Sequence, residues 1–465
     1  MIRRHTALLA ITGLFAVVLL LALVTHSTGI VRNDPERNIW IPREMTVPLQ
    51  LQVAYDEQRI FFRYRWPAER PHVYTDLLRY RDGAWQRQLD TPIGPEPDGI
   101  YEDRLAMMVD DGSVPEFQRY GGYITVGANM RDFTDAGQHE GRDDAHRRKY
   151  LPATRSDPDD WYSIVDQETL TAQRDAGYFL DLWNWRAHLS NPMATGDDQH
   201  IAWYRLYDSG EGPFFSNWDG AAQQPRFMFD SGSTGVDALR WDDVVAGRDD
   251  LEGVYYLAED TAIPFDADRE WQDGDVIPGK VLREPSGARA TVKLHGEGRW
   301  ADGQWDVTLV RDLDTGDPLE DKILRDQGVY TIALSVHRDA KASRWHYVSM
   351  PVQVGLGRAA DITANRFSGA APDWNQVGTH EVKLFYPGQV DWPRLTSEIH
   401  AGAKYIATGV PVKFRHSEAQ LAHYGIEIEF EDEIRRQWWL SLIAGVLLVV
   451  SFVFSVSVLL GRRGN

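Results

Sequence analysis

The sequence predicts a mainly β fold: an antiparallel β-sandwich with loop and helix insertions, flanked by N- and C-terminal transmembrane helices. Three observations predict it. Apolar residues alternate with polar ones, Asp-Gly pairs separate the alternating runs, and a long apolar run lies near each end of the chain. The 465 residues, 43% of them hydrophobic and 11% aromatic, can fill a sizeable core.

The alternation has a period of two residues. The odd positions of residues 49–55 are apolar, and the even positions of residues 62–66 are aromatic with arginines between them. This period is typical of half-buried strands. It predicts further strands over residues 328–337 and 346–356.

Asp-Gly pairs lie between such runs, where a tight hairpin needs residues with positive φ. They occur in "RDGAW" (81–85), "QDGDV" (272–276) and "ADGQWDVTLVRDL" (301–313). Each pair predicts an antiparallel hairpin, and the whole pattern indicates a sandwich.

Two apolar runs, residues 7–24 and 438–460, are long enough to cross a membrane as helices. Arginines at positions 3–4 and 462–463 lie outside both runs and place both termini in the cytoplasm. This arrangement predicts a bacterial inner-membrane protein with a periplasmic main domain. A cleaved signal peptide is the alternative for the first run.

The predicted organisation follows from these runs. An N-terminal anchor covers residues 1–30, the sandwich 38–356, a linker and membrane-proximal appendage 357–434, and a C-terminal transmembrane helix 437–461.

The composition excludes several classes of site. The chain has no cysteine, so disulfides, zinc-thiolate sites, iron–sulfur clusters and covalent c-type haem are excluded. A formal charge of −20 argues against nucleic acid as a partner. Adjacent acids at 110–111, 159–160 and 197–198 are expected in solvated turns, with calcium at one of them as the alternative.

Three segments together indicate a family. They are "GYFLDLWNWRAHLSNP" (177–192), "RWADGQWDVTLVRDL" (299–313) and "SRWHYVSMPVQVGLG" (343–357). In order and spacing they resemble the haem-binding domain of the ethylbenzene dehydrogenase γ-subunit and cytochrome c-552/DMSO reductase-like group. The resemblance implies a sandwich that holds one haem b and transfers electrons beside a molybdenum enzyme.

The resemblance also implies axial ligands. The γ-subunits use methionine and lysine, and the place of the lysine falls at or beside His346. His346 shares parity with Val348, Met350 and Val352, the apolar face of the predicted strand. A buried imidazole needs a partner, which could be iron or a hydrogen-bonding group in the core.

The opposite ligand is expected from "RYGGYITVGANMRDF" (119–133). Gly122, Val126 and Gly127 stand where the c-type relatives have two cysteines and a histidine, so Met130 is the nearest residue able to bind iron. Its alternative is a buried or loop methionine.

A second attachment-like run, "HAGAKYIATGVPVKFRHSE" (400–418), has Val412 and Arg415 in place of cysteines and keeps His416. Either the protein holds haem b non-covalently through His346 and His416, or it has become haemless.

Trp183, Trp185 and Arg186 are further candidates for cofactor binding. The two indoles could pack against the faces of a porphyrin, and the guanidinium could bind a propionate. The alternative is that both indoles belong to the core and that Arg186 pairs with a carboxylate such as Asp181. His188 is expected to be exposed or to face a propionate.

These observations predict a membrane-anchored electron-transfer protein that works with redox partner proteins or a respiratory complex. No nucleophile, metalloprotease helix or phosphate-binding loop is evident, so the chain is expected not to be an enzyme. The alternative is a haemless sandwich that binds carbohydrate or a respiratory partner.

Overall fold

A computed structural model describes residues 13–15, 17–18, 20, 46–88, 100–125, 151–157, 163–286, 294–338, 346–385 and 431–460. The chain divides into two units. One is Trp40–His423, and the other combines Met1–Ile39 with Tyr424–Asn465.

The larger unit contains the strands. They are β1 (Thr46–Tyr55), β2 (Arg59–Pro67), β3 (Leu77–Arg81), β4 (Ala84–Gln88), β5 (Arg104–Asp110), β6 (Leu180–Arg186), β7 (Asp197–Ile201), β8 (Arg205–Tyr207), β9 (Phe214–Ser216), β10 (Trp218–Asp219), β11 (Gln224–Pro225), β12 (Phe227–Phe229), β13 (Leu239–Arg240), β14 (Ala262–Pro264), β15 (Asp275–Pro278), β16 (Lys280–Leu282), β17 (His295–Ala301), β18 (Gln304–Asp312), β19 (Val329–His337), β20 (His346–Ser349), β21 (Val352–Leu356), β22 (Ile362–Arg366) and β23 (His380–Phe385).

The helices of this unit are short. They are α1 (Phe117–Tyr120), α2 (Gln167–Asp175), α3 (Ser231–Thr234) and α4 (Trp241–Ala246), with 3-10 turns at Gly121–Thr125, Pro152–Thr154 and Asn191–Met193. The other unit has helix α5 (Glu431–Leu460) and helical residues at 13–15, 17–18 and 20.

Thirteen strands form one sheet in the order β17-β18-β2-β1-β22-β21-β19-β5-β6-β7-β8, with β20 and β23 pairing beside this path. The two ends of the order face each other. Phe62 of β2 meets Trp183 of β6 at 5.6 Å between ring centroids, and Trp305 of β18 meets Trp185 of β6 at 4.9 Å. The predicted mainly β sandwich is therefore confirmed, and its core lies between the facing halves.

Two of the predicted Asp-Gly hairpins are confirmed. Asp82 and Asp302 have φ near +50°, each is followed by a glycine with positive φ, and they connect β3 to β4 and β17 to β18. The third prediction is wrong: residues 272–274 form a turn that leads into β15, which pairs with β3 and β13. The residues just before this turn form no strand that could complete a hairpin.

The strand predicted over residues 346–356 is two strands in the structure. Met350 and Pro351 separate β20, which pairs with β19 and β23, from β21, which pairs with β19 and β22. Proline cannot donate to a sheet ladder, so it ends the first strand. Strands β22 and β23 lie beyond residue 356, the predicted limit of the sandwich, and pair within the same sheet.

No helix among the described residues is long and apolar enough to cross a hydrocarbon core of about 30 Å. The predicted transmembrane helices at the two ends are not supported. The prediction of an inner-membrane protein with cytoplasmic termini and a periplasmic domain is contradicted by this finding.

Candidate functional site

The strand that carries His346 lies inside the main sheet. β20 pairs with β19 on one side and β23 on the other, and His346 stands directly opposite His337 of β19. The backbone of His346 is described and its side chain is not. Met130 and His416, the other two predicted ligands, lie outside the described residues.

The 3-10 turn Gly121–Thr125, which precedes Met130 in the chain, packs directly on β20. A Cβ atom at Gly122 would lie 2.7 Å from Val348 Cγ1, which is too close for any residue but glycine. The Tyr123 hydroxyl donates a hydrogen bond of 3.2 Å to the carbonyl of Val348. The predicted Met130 segment therefore begins against the strand of His346.

Trp183 and Trp185 are both fully buried in the aromatic core between the facing halves of the sheet. Trp185 packs against Trp66 and Trp305 with centroid distances of 6.1 Å and 4.9 Å, and its indole nitrogen donates to Asn191. These contacts favour the core interpretation of the two indoles. Their part in cofactor binding stays a prediction.

Arg186 forms an ion pair with Glu102 at 3.2 Å, and its guanidinium lies over the ring of Phe214. Arg186 therefore pairs with a carboxylate, as the alternative interpretation predicted, but that carboxylate is Glu102 and not Asp181, which binds Arg311. Burial disfavours the charged guanidinium, but Glu102, Tyr101, Asp197 and Tyr207 together outweigh burial and raise the pKa of Arg186.

Glu102 is a buried carboxylate with several partners. Besides Arg186 it pairs with Arg104 at 3.2 Å, and it accepts hydrogen bonds from the backbone N–H groups of His188 and Leu189. His188 is fully buried, and its Nδ1 lies 2.6 Å from the carbonyl of Val73. The expectation that His188 is exposed is wrong, because the loop after β6 folds it into the core, and its place near a propionate stays a prediction.

A second polar group surrounds Arg311 of β18. The guanidinium lies 2.6 Å from Asp181 of β6 and 3.1 Å from Asp321, and it forms a longer ion pair of 3.8 Å with Asp198 of β7. It also donates to the carbonyl of Lys322 and lies over the ring of Trp183 at 4.4 Å. Three carboxylates share this buried guanidinium, which joins the two facing halves of the sheet.

Charge in this group is costly, because almost no water reaches it. Burial raises the pKa of Asp321 to about 7, against the opposing effect of Arg311. Burial and the repulsion of Asp321 raise the pKa of Asp198 well above its ordinary value. Nearby, burial raises the pKa of Asp208 to about 6, although its hydrogen bond with His200 acts in the other direction.

The acid pairs of the sequence are mostly buried. Asp110, Asp197 and Asp198 are at most 6% exposed, so the expectation of solvated turns fails for both described pairs. Asp111 is the exposed member, and it binds the Lys322 ammonium at 3.0 Å. The pair at 159–160 lies outside the described residues.

The family model for ethylbenzene dehydrogenase matches residues 24–349, about 70% of the chain. The chain belongs to the ethylbenzene dehydrogenase family. None of the curated proteins matches the sequence. The family resemblance predicted from three short segments is confirmed, and the matched range contains the whole Arg311 group and β20.

Membership in the ethylbenzene dehydrogenase family makes the chain a subunit related to molybdenum oxidoreductases. It contradicts the prediction that the protein is not an enzyme, because the family is that of an enzyme. That prediction depended on motifs of hydrolases and nucleotide-binding enzymes, and those motifs are no test for oxidoreductase subunits.

Proposed function

We propose that the chain is the haem-binding, electron-transferring subunit of an oxidoreductase of the ethylbenzene dehydrogenase family, holding haem b without covalent bonds. The observation that carries the proposal is the packing of the Gly121–Thr125 turn on β20. This packing supports a site in which His346 and Met130 come from adjoining segments.

The reach of the chain agrees with this pairing. Thr125 and Met130 are five residues apart, and an extended chain spans about 3.3–3.6 Å per residue, so a segment of this length can reach up to about 18 Å. The turn itself touches Val348, two residues after His346. Both candidate ligands can therefore approach one porphyrin from different segments of the same sheet region.

The chemistry of the donor set fits haem. An imidazole and a thioether are ordinary axial ligands of low-spin haem iron, and methionine ligation raises the reduction potential. Without cysteine the ring can be held only by axial ligands, packing and propionate contacts. Bound haem supplies a one-electron carrier, while the chain fixes the ligands and limits access of water to the iron.

Aromatic and basic side chains lie beside the strand position of His346. Tyr101 packs on His337 with 5.6 Å between ring centroids, and the guanidinium of Arg104 lies 4.1 Å from the centre of the Tyr101 ring. The edge of a haem carries two propionates, and arginine side chains bind such carboxylates well. His416 remains the candidate for a second ligand outside this region, and the redox partner would be another subunit or an electron acceptor.

The test is a pyridine haemochrome assay with a reduced-minus-oxidised spectrum on the full chain, produced with ample haem. We expect one haem b per chain. His346→Ala should lose the haem or its low-spin spectrum, and Met130→Leu should shift the spectrum while haem is retained. His416→Ala shows whether a further haem depends on that residue.

His337→Ala is the matched control, because His337 pairs with His346 on the neighbouring strand. It should keep the wild-type spectrum and haem content. A haem-free wild-type protein would refute haem binding. An unchanged spectrum in His346→Ala, or loss of haem in His337→Ala alone, would refute the ligand assignment, with circular dichroism used to confirm folding.

A further inference from the structure

Two of the carboxylates around Arg311, those of Asp181 and Asp321, have more oxygen atoms than their described partners use. Arg311 and the backbone N–H of Lys322 both bind Oδ2 of Asp181, and Arg311 binds Oδ1 of Asp321. The other oxygens, Asp181 Oδ1 and Asp321 Oδ2, are buried and accept no hydrogen bond from any residue that the structure describes. An unsatisfied carboxylate oxygen in the interior costs free energy that a ligand could recover.

The carboxylates of Asp181 and Asp321 belong to a compact group. Asp181, Asp198 and Asp321 each offer one carboxylate oxygen, and the three oxygens lie within 4.8 Å of one another. Two ligand oxygens on opposite sides of a calcium ion are about 4.6–5.2 Å apart, given Ca–O distances of 2.3–2.6 Å. Three carboxylate oxygens no farther apart than this can therefore share one calcium ion.

The balance of charge in this group also favours a bound cation. Arg311 brings one positive charge to an ion-pair group with three carboxylates, and the carboxyl of Asp208 adds to the repulsion on Asp321. The balance of charge around Glu102 is different, because two guanidiniums form ion pairs with that single carboxylate and two backbone N–H groups donate to it. The negative charge of Glu102 is therefore balanced by two cations, whereas the three carboxylates around Arg311 share one and can take a further cation.

We propose that Asp181, Asp198 and Asp321 form a divalent-cation site, for which calcium is the best fit. Hard carboxylate oxygens with no thiolate select calcium, magnesium or manganese, and calcium accepts a more irregular arrangement of ligands than magnesium does. The ion joins β6 and β7 to the loop that follows β18, so it ties together the two facing halves of the sandwich. This inference does not depend on the proposed haem.

The test uses the full chain, stripped with EDTA and then given calcium chloride alone. Isothermal titration should show one calcium per chain, and the melting temperature should rise by on the order of 5 °C at a hundredfold excess over Kd. Asp198→Asn should weaken calcium binding at least tenfold. Because it removes a repelled carboxylate, it should melt in EDTA no lower than the wild type does.

Asp312→Asn is the matched control, since Asp312 is the exposed neighbour of Arg311 on β18. It should bind calcium as the wild type does. Asp321→Asn provides a second variant of the site and should behave like Asp198→Asn. The proposal is overturned if calcium, magnesium and manganese chlorides each leave the wild-type titration and melting temperature unchanged, or if both site variants bind calcium with wild-type affinity.

Discussion

Replacing Arg311 by methionine tests how the two halves of the sandwich are held together. The change removes the guanidinium and keeps an unbranched side chain that can still fill part of the space. The substitution removes the ion pairs to Asp181 and Asp321, the hydrogen bond of 2.8 Å to the carbonyl of Lys322, and the contact with the Trp183 ring.

The expected loss follows from burial. Removing one partner of a buried ion pair costs about 3–5 kcal/mol, because the remaining charge stays in the interior. Arg311 and Asp181 are both fully buried, so solvent screening does not reduce this figure. A domain of ordinary stability has about 5–15 kcal/mol in total, so Arg311→Met is expected to lose between a fifth and all of it.

Two further variants keep the test informative if Arg311→Met does not fold. Arg311→Lys retains the charge and loses the forked geometry, which costs about 1.5–3 kcal/mol for a charged hydrogen bond. Adding Asp181→Asn to Arg311→Met should recover part of the loss, with a coupling free energy of about 0.5–3 kcal/mol.

The assay is urea unfolding in EDTA, followed by tryptophan fluorescence and by circular dichroism. Arg299→Met is the control, because Arg299 is an exposed residue on the neighbouring strand β17 and should change the free energy of unfolding by no more than about 0.5 kcal/mol. If Arg311→Met costs no more than this control, or if Arg311 and Asp181 show no coupling, the argument from buried charge is refuted.

Two other predictions concern packing and pH. A Cβ atom at Gly298 would overlap the Trp185 ring, so Gly298→Ala should lower the free energy of unfolding by about 1–3 kcal/mol. Gly220 lies in open space, so Gly220→Ala should leave the free energy of unfolding almost unchanged. Urea unfolding measures both variants, and equal losses would contradict the packing argument. Burial lowers the pKa of His188, so the unfolded state binds the proton more readily and the stability from neutral His188 is lost as pH falls below about 6.5. The stability difference between wild type and His188→Gln should therefore shrink by about 1.4 kcal/mol per pH unit between pH 6.5 and the folded pKa, and a difference that does not change with pH would contradict the assignment.

The strands and two hairpins could be predicted because their signals are local. An Asp-Gly pair with positive φ forms a hairpin only where both flanking segments are strands, as at Asp82 and Asp302. The pair at 273–274 has the same local signal and a different outcome, because β15 finds its partners in β3 and β13. Such partners are fixed by tertiary packing, and one sequence does not contain that information in a local pattern.

The buried polar groups were missed for a related reason. Glu102 precedes β5, Arg186 ends β6, and the sequence separation between them is 84 residues, so no local pattern links the two. His188 was misjudged in the same way. It was expected to be exposed, whereas hydrogen bonds from its backbone to Glu102 and from its ring to Val73 hold it inside.

The Arg311 group, by contrast, does leave a signal in the sequence. Arg311 has the parity of Trp305, Val307 and Leu309, which face the core, and Asp181 has the parity of Trp183 and Trp185 on the facing strand. Opposite charges at inward positions of two strands can be buried only if the strands bring them together, so each predicts a partner on an opposing strand. Asp198 and Asp321 carry the inference one step further. The positive charge of Arg311 is balanced by the carboxylate of Asp181 alone. Asp198 and Asp321 bring two further carboxylates to the same guanidinium, and this excess of acidic groups is the physical reason to look for a second cation there.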